Sequence, residues 1–137
     1  VAHQAPAAPK EAASANRFSF AILLASTCGL AFFLRLMHVL QTFEVPTVVQ
    51  LLGDARGYFD WALKISGGDW YGSETFYQAP LYPYFLAVLI KIFGPSVTLI
   101  RLVQVMLGVA GVALIGAAGR RLFSEKIGLV AALMLAV

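Results

Sequence analysis

Charge is scarce in this sequence. Only 12% of its 137 residues are Asp, Glu, Lys or Arg, against about a quarter in ordinary soluble domains. The net charge of +3 comes from scattered Lys and Arg rather than a block, which excludes an electrostatic footprint for nucleic acid. Cysteine is nearly absent: Cys28 stands alone, so no internal disulfide forms, and its place in a long apolar run marks it as a small packing residue. No group of His, Cys and acidic residues has metal-ligand spacing, no glycine-rich phosphate loop is present, and no serine nucleophile elbow appears. Metal hydrolysis, P-loop phosphoryl transfer and serine hydrolase chemistry therefore have no carrier, and no cofactor is implied by a motif.

What the sequence has instead is apolar residues, 60% of the chain, with a mean hydropathy of +0.80. They are concentrated in runs. Residues 18–40 and 97–118 are each long enough, at ~1.5 Å per residue, to cross ~30 Å of hydrocarbon. A chain this short has too little other protein to wrap two such helices, so lipid is the expected solvent. The fold class is all-α: polytopic transmembrane helices with an external loop that carries an interfacial helix. Residues 80–93 form a shorter apolar run, marginal as a span and open to a re-entrant reading. The run at 127–137 has no terminator, and position 1 is Val, so the chain reads as the N-terminal fragment of something longer.

Residues 1–16 are rich in Ala and Pro without apolar periodicity and read as a disordered tail; residues 17–137 form the N-terminal part of a multi-span domain. A secretory signal is a competing reading of the first 40 residues, but the apolar run is too long and no small-residue cleavage site follows. Lys10 and Arg17 precede the first run, so the positive-inside rule expects a cytoplasmic N-terminus. Arg35 and His38 fall in the last turns of that run, where a long cationic side chain snorkels to the far interface. Gly and Ala in 97–118 suit close helix packing. Simple alternation of spans puts Arg120, Arg121 and Lys126 outside, whereas the positive-inside rule puts them inside. The two agree only if 80–93 does not cross.

The loop 41–79 holds most of the acidic residues and much of the Trp and Tyr. Within it, residues 54–65 read as a short helix, with Asp54 as its N-cap and Gly67-Gly68 as its stop. Tyr58, Trp61 and Ile65 recur at helical spacing and form an aromatic-apolar face expected at head-group depth. Pro80 suits the first turn of the next helix, and Pro83 is still tolerated there.

Taken together, the order of Asp54, Tyr58, Gly67-Gly68, Pro80-Leu81-Tyr82-Pro83, Arg101 and Gly119 to Phe123 resembles the N-terminal module of the GT-C-type membrane glycosyltransferases. It resembles in particular the bacterial branch related to protein O-mannosyltransferases and aminoarabinose transferases, over about residues 20 to 137. The resemblance implies a bacterial inner-membrane enzyme that takes a sugar from a polyprenyl-phosphate donor. Asp54 would be the catalytic carboxylate, accepting the proton of an acceptor hydroxyl as the new bond forms, and direct displacement would invert the anomeric centre. Arg56, Arg35 and Arg101 are candidate cations for the departing phosphate, and Tyr58, Tyr82 and Tyr84 candidate hydroxyl donors. The substrate-binding set is Arg56, Tyr58, Gln78, Tyr82 and Arg101, with no metal. The expected partners are membrane lipid, the lipid-linked sugar and other membrane proteins. Ala55 follows Asp54 where many members carry a second acid, and Gln78-Ala79 replaces the acid and Lys of the aminoarabinose transferases. These departures set the chain apart from aminoarabinose transfer. They also keep a second reading open, a non-catalytic transmembrane subunit built on the same fold. A transporter component has no support beyond Gly94-Pro95.

Overall fold

The computed structural model describes residues 10–42, 51–71 and 79–137, with side chains in the first helix from Ser19 onward. Five helices and no strand occur among the described residues: α1 (Lys10–Thr42), α2 (Asp54–Ser66), α3 (Leu81–Phe93), α4 (Val97–Leu122) and α5 (Glu125–Ala136). The all-α expectation holds. Helix α1 begins upstream of the expected start of the first span, and residues 1–9 lie outside the described residues.

Among the described residues two stretches are long and apolar enough to cross a bilayer, Ser19–Thr42 and Val97–Leu122. Only 11% and 22% of their most apolar windows are buried, where the core helix of a soluble protein would be mostly covered. Lipid is the solvent that such surfaces require. Within α1 the hydroxyls of Thr27 and Thr42 donate to the carbonyls of Leu23 and His38, at 2.9 and 2.6 Å, so neither is left without a partner in an apolar medium. Helix α3, at 13 residues, extends about 20 Å at ~1.5 Å per residue, short of a ~30 Å core.

The described chain divides into two compact units. One comprises the chain up to Arg35 together with Met106–Val137; the other is Leu36–Val105. In the first unit Ala31, Val112, Ala132 and Ala136 form a buried cluster, with Leu24, Cys28 and Val109 packed against it, so Cys28 has the packing role its position implied. The helices α4 and α5 approach through glycines. A Cβ added at Gly119 would lie 2.7 Å from the Cα of Gly128, and one added at Gly128 would lie 2.6 Å from the amide nitrogen of Arg120. Ser124 caps α5, its hydroxyl accepting from the Ile127 amide at 3.3 Å. Arg120 lies over the Phe20 ring, 4.4 Å from its centroid, and pairs with Glu125 at 2.8 Å.

In the second unit α2 packs against α3. Ala62 and Ile65 meet Leu86, Ala87, Leu89 and Ile90, with Ile100 from the start of α4 completing the core. Tyr58 and Trp61 pack against this cluster. The aromatic face expected at head-group depth also holds α2 on α3, since rings packed against Leu and Ile remove apolar surface from water. The capping expectation also changes. Gly53 is the N-cap, at φ 61° and ψ −135°, with no side-chain cap bond, and Asp54 is the first helical residue. Glycine takes that positive φ without strain, and its carbonyl accepts from the Arg56 and Gly57 amides at 3.1 and 3.2 Å. Asp54 still complements the helix dipole from the first turn. At the start of α3, Pro80 is the N-cap and Pro83 is buried in the first turn, so both prolines sit where a missing N–H costs no helical bond.

Candidate functional site

At 100° per residue, Asp54, Tyr58, Trp61 and Ile65 share one face of α2, while Arg56, Phe59, Asp60 and Leu63 share the other. This division sorts the sequence-predicted site residues. Tyr58 meets Tyr82 on the first turn of α3 edge to face, with ring centroids 5.3 Å apart and planes at 85°. Tyr82 also stacks on Phe85 at 6.4 Å. Its hydroxyl accepts a hydrogen bond from the Gln104 side chain on α4 at 2.7 Å. Arg101, half-buried, stands one turn before Gln104, and residues three apart lie on the same helix face. Asp54, exposed to solvent at the head of α2, lies one turn before Tyr58 on the face turned to α3.

Three helices therefore converge on Tyr82: α2 through Tyr58, α3 through Tyr82 itself, and α4 through Gln104. Gln104 was not singled out in the sequence. Its signal was there, since Arg101 and Gln104 are polar residues one turn apart near the start of a largely apolar helix, and polar groups in a span are rarely idle.

Arg56 is not part of this convergence. Its Nε donates to Asp60 Oδ2 at 2.9 Å, with the two side chains 62% and 47% exposed. Both line an open groove of about 520 Å³ whose other walls are Leu51, Leu52, Phe59, Leu63, Pro95 and Val97. A guanidinium thus sits at the edge of an apolar trough, the arrangement an amphiphile with an anionic head requires. Arg35 belongs to the other unit and turns inward. It donates to the carbonyls of Ala136 and Leu135 at 3.0 and 2.7 Å, where the sequence suggested a snorkelling anchor. Tyr84 donates its hydroxyl to the carbonyl of Trp70. Gln78 lies outside the described residues. No group of His, Cys, Asp or Glu able to hold a metal ion occurs among the described residues.

Residues 77–137 match the family model for dolichyl-phosphate-mannose-protein mannosyltransferases. The matched stretch takes in α3, α4 and α5 and so includes Tyr82, Arg101 and Gln104; α2 with Asp54 lies before it. No curated protein and no solved structure matches the chain. The family match supports a membrane glycosyltransferase of the GT-C type over this part of the chain.

Proposed function

We propose that this membrane protein is a GT-C-type glycosyltransferase that transfers a sugar from a polyprenyl-phosphate donor to an acceptor hydroxyl on the outer face of a bacterial inner membrane, with Asp54 as the base. The observation that carries the reading is the seat of α2. The helix headed by Asp54 lies outside the matched stretch, yet its Asp54–Tyr58 face is held on the first turn of α3 inside that stretch, by the Tyr58–Tyr82 contact. A carboxylate is thereby carried on the same framework as the residues the family match covers.

In this reading Asp54 takes the acceptor's proton as its oxygen forms the bond to the anomeric carbon. The bond from that carbon to the phosphate oxygen breaks, and its electron pair leaves with polyprenyl phosphate. Attack opposite the leaving group inverts the centre. Charge grows on the departing phosphate, so donors aimed there lower the barrier. Arg101 and the Tyr82 hydroxyl, oriented by Gln104, are the nearest set to that role. The apolar groove edged by Arg56 suits the prenyl chain.

Topology follows from helix length. If α1 runs outward and α3 is too short to cross, α4 returns inward. The loop 43–80 then faces outside, and Arg120, Arg121 and Lys126 face the cytoplasm beside Lys10 and Arg17. This satisfies both span alternation and the positive-inside rule.

The test is transfer from a radiolabelled polyprenyl-phosphate sugar in membranes carrying the protein or its Asp54→Asn variant. Loss of a general base lowers turnover by about 10²–10⁴-fold. Equal turnover in both removes Asp54 from the mechanism. Absence of transfer in the parent, across donor sugars, favours the non-catalytic subunit.

A further inference from the structure

The end of α2 and the first turn of α3 enclose a second concave surface that the proposed chemistry does not use. Gly68, Asp69, Trp70, Tyr71 and Tyr84 line an open pocket of about 450 Å³, within the ~300–1,000 Å³ range of small-molecule sites. Its walls are fixed by backbone bonds. The Gly68 amide donates to the Ile65 carbonyl at 3.0 Å, Asp69 to Lys64 at 3.1 Å and Trp70 to Gly68 at 3.0 Å. Gly68 turns the chain at φ 112°, and the space beside it is open. The Tyr84 hydroxyl bonded to the Trp70 carbonyl ties the loop to α3. Tyr84 is two residues from Tyr82, about 200° around the helix, so this pocket adjoins the Tyr58–Tyr82 contact without sharing its side chains.

Two aromatic side chains remain open to solvent, Trp70 at 50% and Tyr71 at 88% exposure, although the loop beneath them is tied down. The rings of Trp70 and Tyr84 are tilted by only 34° with centroids 6.3 Å apart. They form a broad platform, not the perpendicular walls of a cage that would surround an ammonium group. Beside them stands the carboxylate of Asp69. An aromatic platform takes the axial C–H face of a pyranose, whose hydrogens carry partial positive charge toward the π cloud. A carboxylate accepts hydrogen bonds from two neighbouring sugar hydroxyls.

We propose that Gly68–Tyr71 and Tyr84 form a pyranose-binding subsite, with the Trp70–Tyr84 ring pair as the stacking surface, the exposed Tyr71 ring beside it as a further contact face, and Asp69 as the hydroxyl acceptor. It rests on the glycosyltransferase reading only for what delivers the ring, which arrives either on the lipid donor or within a glycan acceptor.

Trp61 and Trp70 are the only tryptophans, so a Trp61→Phe background leaves Trp70 as the sole indole reporter. The protein is placed in lipid nanodiscs, because glucoside and maltoside detergents carry the very ring in question. It is titrated with methyl pyranosides of gluco, galacto and manno configuration, with glycerol and ethanolamine as controls. At least one pyranoside is expected to shift Trp70 emission saturably. Asp69→Asn and Tyr71→Ala are each expected to raise the half-saturation concentration by about tenfold, the scale of one lost hydrogen bond to a charged group or one stacked face. The proposal is overturned if no pyranoside saturates, if both variants titrate like the parent, or if ethanolamine produces the same Asp69-dependent shift. Competition by the active pyranoside against a labelled polyprenyl-phosphate sugar assigns the ring to the donor; undisturbed donor binding assigns it to the acceptor. No turnover is required, so a chain that binds the ring without transferring sugar separates this subsite from the transferase reading.

Discussion

Tyr82 is the residue at which three helices of the second unit meet. Its ring sits against Tyr58 and Phe85, and its hydroxyl accepts from Gln104. Replacing Tyr82 by Phe keeps the ring contacts and removes one hydrogen bond, which costs about 1 kcal/mol, and strands the Gln104 amide. Gln104→Leu removes the other half. A double-mutant cycle by thermal unfolding in nanodiscs is expected to return a coupling of at least ~0.5 kcal/mol, as contacting residues do; additive effects would show that the two do not act as a pair. Arg56 gives the opposite expectation. Its ion pair with Asp60 is an exposed i,i+4 contact, and such pairs contribute about 0.3–0.5 kcal/mol. Arg56→Gln should therefore leave the unfolding midpoint nearly unchanged. A large fall in donor binding with that unchanged midpoint would identify Arg56 as a phosphate contact, and unchanged donor binding would make it a surface charge.

At the scale of the helix, the two kinds of glycine in this chain behave differently. Gly29 lies inside α1 with nothing near the position of a Cβ, whereas a Cβ on Gly128 meets the Gly116 carbonyl oxygen at 2.5 Å and the Arg120 nitrogen at 2.6 Å. Those are backbone atoms that cannot rotate aside. Gly29→Ala is expected to stabilise α1 by about 0.5–1 kcal/mol through its lower chain entropy. Gly128→Ala forces α4 and α5 apart and is expected to cost about 1–3 kcal/mol, the range for overpacking. Melting both variants beside the parent checks the pair, and equal shifts would contradict the close crossing. The bounds of α2 and α3 and the start of α4 were legible because Gly67-Gly68, Pro80 and Gly94-Pro95 punctuate the sequence by local sterics alone, whereas α4 runs on to Leu122, past the expected end at 118. What a side chain faces was less so. Periodicity showed that Tyr58, Trp61 and Ile65 share a face, but lipid head groups and another helix reward the same pattern. Asp54 read as the N-cap itself and not as second to Gly53, because either residue type suits an N-cap. Gln104 was visible locally only as a polar residue one turn from Arg101; its bond to Tyr82, 22 residues away, is what no local pattern reports.

For the whole molecule the decisive quantity is the length of α3. Thirteen residues give about 20 Å of helix, and a hydrocarbon core of ~30 Å leaves the remainder to be crossed by backbone with unsatisfied polar groups, each costing several kcal/mol. The flanks do not extend it, since Pro80 and Gly94 bound the helix on either side. A helix that buries Leu86, Ala87, Leu89 and Ile90 against its own neighbours also needs lipid on fewer faces than a span does. Tyr71 and Ser96, on either side of α3, are therefore expected on one side of the membrane, and Lys126 beyond α4 on the other. Cys28 is the single native thiol, so a Cys28→Ser background allows mapping one position at a time. In intact cells Tyr71→Cys and Ser96→Cys should both react with a membrane-impermeant maleimide, while Lys126→Cys should react only after permeabilisation. If Ser96→Cys is protected where Tyr71→Cys is labelled, α3 crosses. Arg120, Arg121 and Lys126 then return to the outer side, against the positive-inside rule, and the groove edged by Arg56 and Pro95 loses the single face that its proposed role toward a lipid-linked donor requires.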